Sequence, residues 1–195
     1  SISHSGNQFI YERQPTLMIT GTDTTVTYNG TTQSLSGYIV AGLVNGDSQA
    51  QALTTAAILG SQTNAATYTS GLVSGGASSI GYAISYTQGS LTIDQRALTI
   101  NASASNKEYD GLTAAVVTLG DDRITGDTLT LANIAATFSD KNVATGKTVT
   151  VSGITLGGTD AGNYTFNTTD TTTADITAKA LTISASASNK EYDGL

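Results

Sequence analysis

Apolar and polar residues alternate with a period of two along most of this chain. Leu98, Ile100, Ala102 and Ala104 fall on one side of an extended segment, and Thr99, Asn101 and Ser103 fall on the other. Tyr82, Ile84 and Tyr86 alternate with Ala83 and Ser85, Val149 and Val151 with Thr148, Thr150 and Ser152, and Tyr164 and Phe166 flank Thr165. Side chains two apart share a face of a strand, so this period predicts strands with one buried face. Val and Thr are stiff at χ1 and favour strands, so propensity agrees with pattern. Between the alternating stretches stand Asn29-Gly30, Asn45-Gly46, Gly75-Gly76, Asp110-Gly111, Gly157-Gly158 and Asp193-Gly194, dipeptides that tolerate positive φ and close tight turns. One segment departs from the pattern. Gln49 to Leu59, rich in Ala, Gln and Leu, reads as a short helix packed on a sheet, whereas its counterpart Leu129 to Ile134 reads as a strand.

The chain repeats itself. Ala97–Leu112 recurs as Ala180–Leu195 with fifteen of sixteen positions identical, an offset of 83 residues. That period exceeds the roughly 20–50 residues of a solenoid repeat or propeller blade, so each copy is expected to bury a core of its own. The first half carries the same landmarks in the same order. Leu17–Thr20 followed by Tyr28-Asn29-Gly30 answers Leu98–Ile100 followed by Tyr109-Asp110-Gly111. Asn45-Gly46-Asp47-Ser48 answers Thr125-Gly126-Asp127-Thr128, and Asn64–Thr67 answers Asn142–Thr145. Gly81–Ile84 answers Asn163–Phe166, and the run ending at Leu98 answers the run ending at Leu181. The expected organisation is a lead-in over 1–14, β modules over 15–95 and 96–178, and the opening of a further copy over 179–195. The expected fold class is mostly β: two tandem modules set end to end, each a grasp-like or immunoglobulin-like sheet. From Leu91 to Ile100, and again from Ile176 to Ile183, there is neither Gly nor Pro, so the last strand of one module is expected to run almost directly into the first of the next.

Composition narrows the functions open to such a chain. Only 12 % of the 195 residues are charged, so Thr, Ser, Gly and Asn must cover the surface, as in many exported β proteins. The net charge of −7 speaks against sequence-independent nucleic-acid binding, which needs clustered Lys and Arg, and against docking on anionic membranes. No apolar run approaches the roughly 20 residues of a spanning helix, so no membrane insertion is expected. Cysteine is absent, which removes disulfides and thiol chemistry. No leader is visible at Ser1, so any export address is expected to lie outside this stretch.

At Asn106–Gly111, Ser139–Lys147, Val149–Ile154, Asp160–Tyr164 and Ile176–Ile183 the chain resembles the YDG repeat, over nearly all of 96–195. More loosely, 15–95 resembles the related MBG repeat, described as grasp-like and mostly β. The resemblance implies very large exported proteins of Gram-negative bacteria similar to filamentous haemagglutinin, including adhesins secreted by a dedicated outer-membrane partner. In that setting a cysteine-free chain can be threaded unfolded through a pore without forming cross-links on the way. The resemblance implies no catalytic residue, and no cofactor or metal is expected.

The recurring Tyr109, Asp110 and Gly111 read as structural: a ring to bury, a carboxylate to cap a turn, and a backbone free to take positive φ. Lys107 beside Glu108 raises the alternative of a Lys–Asn cross-link, but adjacent strand residues face opposite ways. Asp121, Asp122 and Asp127, or Asp160 within Gly157–Gly162, could gather oxygen ligands for calcium, set against an ordinary solvated loop. Asn29, Asn101, Asn163 and Asn167 head glycosylation sequons of a kind that a Thr- and Asn-rich chain acquires by chance. The lone His4 has no neighbour with which to build a triad or a metal site. No Cys nucleophile, phosphate loop or pair of catalytic carboxylates is evident, so the chain is expected not to be an enzyme. The leading expectation is a spacer in the stalk of a surface or secreted adhesin, supporting cell adhesion or biofilm formation, with neighbouring repeats as its partners. The alternative is a carbohydrate-binding module that stacks Tyr38, Tyr68 or Tyr86 on extracellular polysaccharide or host surface glycans.

Overall fold

The computed structural model describes residues 2–5, 8–11, 14–78 and 80–194, without the side chains of 2–5 and 8–11. Leu195, the last residue of the duplication, and the side chain of His4 therefore lie outside it. The protein is mostly β, and its strands are gathered into many small sheets. Among the described residues no helix is long and apolar enough to cross a membrane.

Alternation translates into burial in the strands of Leu98 and Val149, whereas Tyr86, expected on the buried face of Ala83–Thr87, is exposed. Leu98 and Ile100 are buried and Thr99 and Asn101 exposed; Val149 and Val151 are buried and Thr148 and Thr150 exposed. The segment at Gln49 is helical for a single turn, Gln49–Ala52. Ser48 and Gln51 form a reciprocal capping box that satisfies its first amides. The helix ends at Leu53 because Thr54 donates its N–H to Ala77 and Thr55 bridges to Ala77, so the chain is drawn into sheet pairing before a second turn can form. Its counterpart Thr130–Ala132 is a strand.

The chain folds into two compact units that are discontinuous in sequence: 1–99 with 122–130 and 156–166, and 100–121 with 131–155 and 167–195. The repeat boundary near 95/96 marks a period in the sequence, and the compact units draw residues from both sides of it. The cause is visible in the pairing, because the strand that follows the boundary, Arg96–Leu98, finds its partner only at Tyr164–Phe166.

In the first unit, Thr16–Gly21 is the centre of a sheet, parallel to Ala83–Thr87 and antiparallel to Tyr38–Ala41. Leu91–Asp94 is the centre of another, parallel to Thr24–Thr27 and antiparallel to Ala66–Tyr68. After Gln95 the same run continues as Arg96–Leu98, in parallel register with Tyr164–Phe166. Leu17, Ile19, Leu72, Leu91 and Ile93 are almost fully buried here.

In the second unit, Ile100–Ala104 lies antiparallel to Val117–Asp121. A four-stranded sheet has the order Lys107–Glu108, Thr169–Thr177, Ala144–Ser152 and Ala135–Phe138. Its core is Phe138, Val149, Ala174 and Ile176, with Ala104, Tyr109, Ala115, Val117 and Ala136 packed around it.

The two repeats share one pairing plan. Leu17 stands opposite Ile84 and Leu98 opposite Phe166, both in parallel register. Tyr28 donates its N–H to Asp94 O, and Tyr109 donates its own to Thr177 O, each at 2.9 Å. The three- and four-stranded sheets are therefore mixed, with each repeat pairing its opening strands in parallel with its closing ones.

Candidate functional site

A polar cluster in the first unit is assembled from segments far apart in sequence. Gly126 at φ +105° lets the chain turn so that Asp127 donates its N–H to Ile124 O at 3.1 Å. The 3₁₀ turn Ala161–Asn163 delivers Tyr164 to the start of its strand, and Thr24–Thr27 delivers Tyr28. Both tyrosines are 3 % exposed and their rings meet edge to face, with centroids 5.6 Å apart. Tyr164 Oη donates to Asp127 Oδ2 at 2.5 Å and accepts the Ile124 N–H at 3.0 Å; Tyr28 Oη donates to the same Oδ2 at 3.0 Å. Two phenols on one carboxylate oxygen compensate the carboxylate for lost water, and the shared carboxylate favours the protonated form of both.

The electrostatics follow from that arrangement. Burial, then the hydrogen bond to Asp127 and its charge, push the Tyr28 hydroxyl up to about 12. Tyr164 is raised for the same first two reasons, against an opposing pull from the Ile124 N–H and the positive charge of Arg96. The Arg96 Nε is buried with no hydrogen-bond partner among the described residues.

The segments that carry Asp127 and Tyr164 are seated on the first repeat at further points. A Cβ on Gly30 would stand 2.9 Å from Ile124 Cγ2, and Gly30 itself has φ +76°, so only glycine fits. Asn163 is buried; its Oδ1 accepts the Ala65 N–H at 2.8 Å and its Nδ2 reaches Asn64 Oδ1 at 3.4 Å. Gln95 Nε2 donates to Gly162 O at 2.9 Å. The first repeat holds its own version of the turn, in which Tyr82 Oη donates to Asp47 Oδ2 at 2.9 Å and accepts the Val44 N–H at 2.9 Å. Both pairs were visible in the sequence as recurring landmarks, Gly46-Asp47 with Gly126-Asp127 and Tyr82 with Tyr164. Nothing local shows that these landmarks meet.

In the second unit, Asp110 caps its turn: Oδ1 accepts the Leu112 N–H at 2.9 Å and the Lys107 ammonium at 2.8 Å, while Gly111 has φ +80°. Those two donors, the ammonium first, hold the Asp110 carboxyl below the usual carboxylate range. Lys107 also donates to Leu112 O and Ala114 O and lies 5.6 Å from the centre of the Phe138 ring. Its ammonium is thus engaged by three oxygens rather than by an asparagine, and Glu108 is exposed. Lys147, buried, pairs with Asp140 at 2.6 Å; with the Asn142 N–H it lowers that carboxyl as well.

Of the residues weighed for calcium, Asp122 accepts the Thr99 N–H, Asp127 the two phenols, and Asp160 the Thr128 N–H. Among the described residues, including Asp121, no three acidic or imidazole side chains converge as a metal site. Asn163 and Asn167 spend their amides internally, the latter on both N–H and C=O of Ile100, whereas Asn29 and Asn101 are exposed. Tyr38 and Tyr68 are half-buried, and Tyr86 is 37 % exposed. The hydroxyls of Tyr68 and Tyr86 donate to Asn64 O and Gly75 O.

A mostly β repeat that closes by pairing its first strands with its last, in parallel, is the class this architecture defines. Residues 94–173 match the family model described as the YDG domain. No curated protein and no solved structure matches the chain.

Proposed function

We propose that the chain is a stretch of structural spacer repeats from a large exported bacterial adhesin, with an MBG-like module over 15–95 followed by a YDG module over 96–178. In this reading the repeats stand outside the cell or at its surface, reach there by two-partner secretion, and support adhesion or biofilm formation by holding a binding region away from the membrane. The observation that carries the reading is the run Leu91–Leu98. Its first part pairs with Thr24–Thr27 of one repeat and its second with Tyr164–Phe166 of the next, with Gln95 alone between them. Repeats joined without a flexible linker transmit position and force along a chain. The polar cluster supports the same reading, since its carboxylate and phenols are spent on one another. Small-angle scattering of the chain tests it: an elongated particle is expected, and a compact, near-spherical one would overturn it.

The rival reading, a carbohydrate-binding module, draws on Tyr86, the most exposed of the three tyrosines weighed for stacking. A glycan array separates the two. The spacer reading expects no binding, and binding lost on Tyr86→Ala would replace it.

A further inference from the structure

Tyr28-Asn29-Gly30 and Tyr109-Asp110-Gly111 occupy the same place in successive repeats, yet their surroundings differ. Tyr28 is buried and its hydroxyl is held by Asp127, whereas Tyr109 is only partly buried and its hydroxyl has no hydrogen-bond partner among the described residues. Gly30 has Ile124 against the position of its absent side chain, while Gly111 has nothing within 4 Å. Ala65 gives its N–H to Asn163; its counterpart Val143 is 51 % exposed, and Leu112, beside Gly111, is 62 % exposed. These contacts to the first member of each pair all come from two segments of the following repeat, the turn Ile124–Asp127 and the loop Gly162–Tyr164.

We propose that Tyr109–Leu112 together with Asn142–Val143 is a docking seat for a following copy of the same repeat, which inserts its counterparts of Ile124, Asp127 and Asn163. The occupant is specified by the chemistry on view: an Ile side chain over Gly111, a carboxylate accepting the Tyr109 hydroxyl, and an Asn amide meeting the backbone at Val143. Residues 180–194, which would open that copy, repeat 97–111 almost verbatim, but the present sequence holds no counterpart of its turn or loop. The seat deepens the spacer reading and rests on its premise that repeats follow one another in one chain. It adds that each YDG tyrosine is the clasp between one repeat and the next.

The test extends the full chain after Leu195 by a second copy of residues 113–178, completing a further repeat, and follows backbone hydrogen exchange. In the extended chain, 180–194 and the Val143 amide, whose counterpart Ala65 is bound to Asn163, are expected to become protected together. Tyr109→Phe is expected to weaken protection of the added repeat by about fivefold, the equivalent of one ordinary hydrogen bond. The same substitution in the 195-residue chain is expected to leave exchange unchanged. Val143→Lys, at a site open to solvent in the shorter chain, serves as a second variant and is expected to act only in the longer one. An added repeat that folds while the Val143 amide exchanges as before would overturn the seat but leave a spacer of independent modules. An added repeat that remains unprotected would also overturn it, because the second repeat is ordered on an equivalent seat. A compact scattering profile with the seat protected would remove the spacer reading and leave the seat standing.

Discussion

Residues 97–111 and 180–194 are nearly the same sequence in two different states. In the first, Arg96–Leu98, Ile100–Ala104 and Lys107–Glu108 are strands; in the second there is no regular secondary structure. Leu98 and Ile100 are 3 % and 1 % exposed, and Leu181 and Ile183 are 83 % and 84 %. What survives in both is the turn. Lys107 meets Asp110 at 2.8 Å and Lys190 meets Asp193 at 2.6 Å, while Gly111 and Gly194 have φ of +80° and +79°. The turn is a local object, written in three or four residues. The strands are not local, because the partners of the first copy are Tyr164–Phe166, Val117–Asp121 and Ile176–Thr177, and the second copy has no such partners in this sequence. A strand needs neighbours to satisfy its backbone and bury its face, so propensity alone leaves it open.

The two copies should differ most where one of them is buried. Ile100→Ala is expected to cost about 2–5 kcal/mol, the usual range for emptying a filled core site, and Ile183→Ala to stay within about 0.5 kcal/mol. Urea denaturation of the two variants measures both, and equal losses would mean that the second copy is packed after all. Gly30→Ala and Gly111→Ala rank next. Each forces a side chain into the left-handed region at about 1–2 kcal/mol, and only Gly30→Ala adds a clash with Ile124, so it should shift the midpoint further. Tyr28→Phe should then cost about 1 kcal/mol by removing a hydroxyl from Asp127, with Tyr109→Phe near zero in the same assay.

Titration gives the smallest and most specific effects. Tyr28 keeps its proton to a higher pH folded than unfolded, so the unfolded state releases protons first and stability must fall as pH rises from about 10 towards 12. Tyr28→Phe should flatten part of that fall, as followed by melting temperature against pH. Asp110 and Asp140 are shifted the other way. Their contribution is present above the ordinary carboxylate range and is lost as pH drops through their lowered values, so acid below about pH 4 should weaken the fold. Asp110→Asn should remove a small part of that dependence, and Asp193→Asn should change nothing in global stability.

Period-two alternation was enough to place the faces of Leu98–Ala104 and of the strand bearing Val149 and Val151, because a half-buried strand writes its burial into adjacent residues. The turns at Gly30 and Gly111 were equally legible, since positive φ selects glycine. The extent of the helix at Gln49 was not, because Thr54 and Thr55 are claimed by Ala77, more than twenty residues away. Nor was the parallel pairing of Leu17 with Ile84, since no local motif encodes a partner at that distance. The Asp127 cluster shows the same limit. The sequence offered Asp127 as a calcium ligand and Tyr28 and Tyr164 as repeat landmarks, and only long-range pairing brings the three to one oxygen.

If pairing with distant segments, and not the local sequence, decides whether a copy of the repeat is folded, the two copies must differ in backbone protection. Residue-resolved hydrogen exchange on the 195-residue chain reads that difference. Ile100, Ala102, Ser105 and Tyr109, whose N–H groups are bound to Asn167, Asp170, Val116 and Thr177, should exchange slowly, and Ile183, Ala185, Ser188 and Tyr192 at the rate of an open chain. Equal protection in the two sets would contradict it.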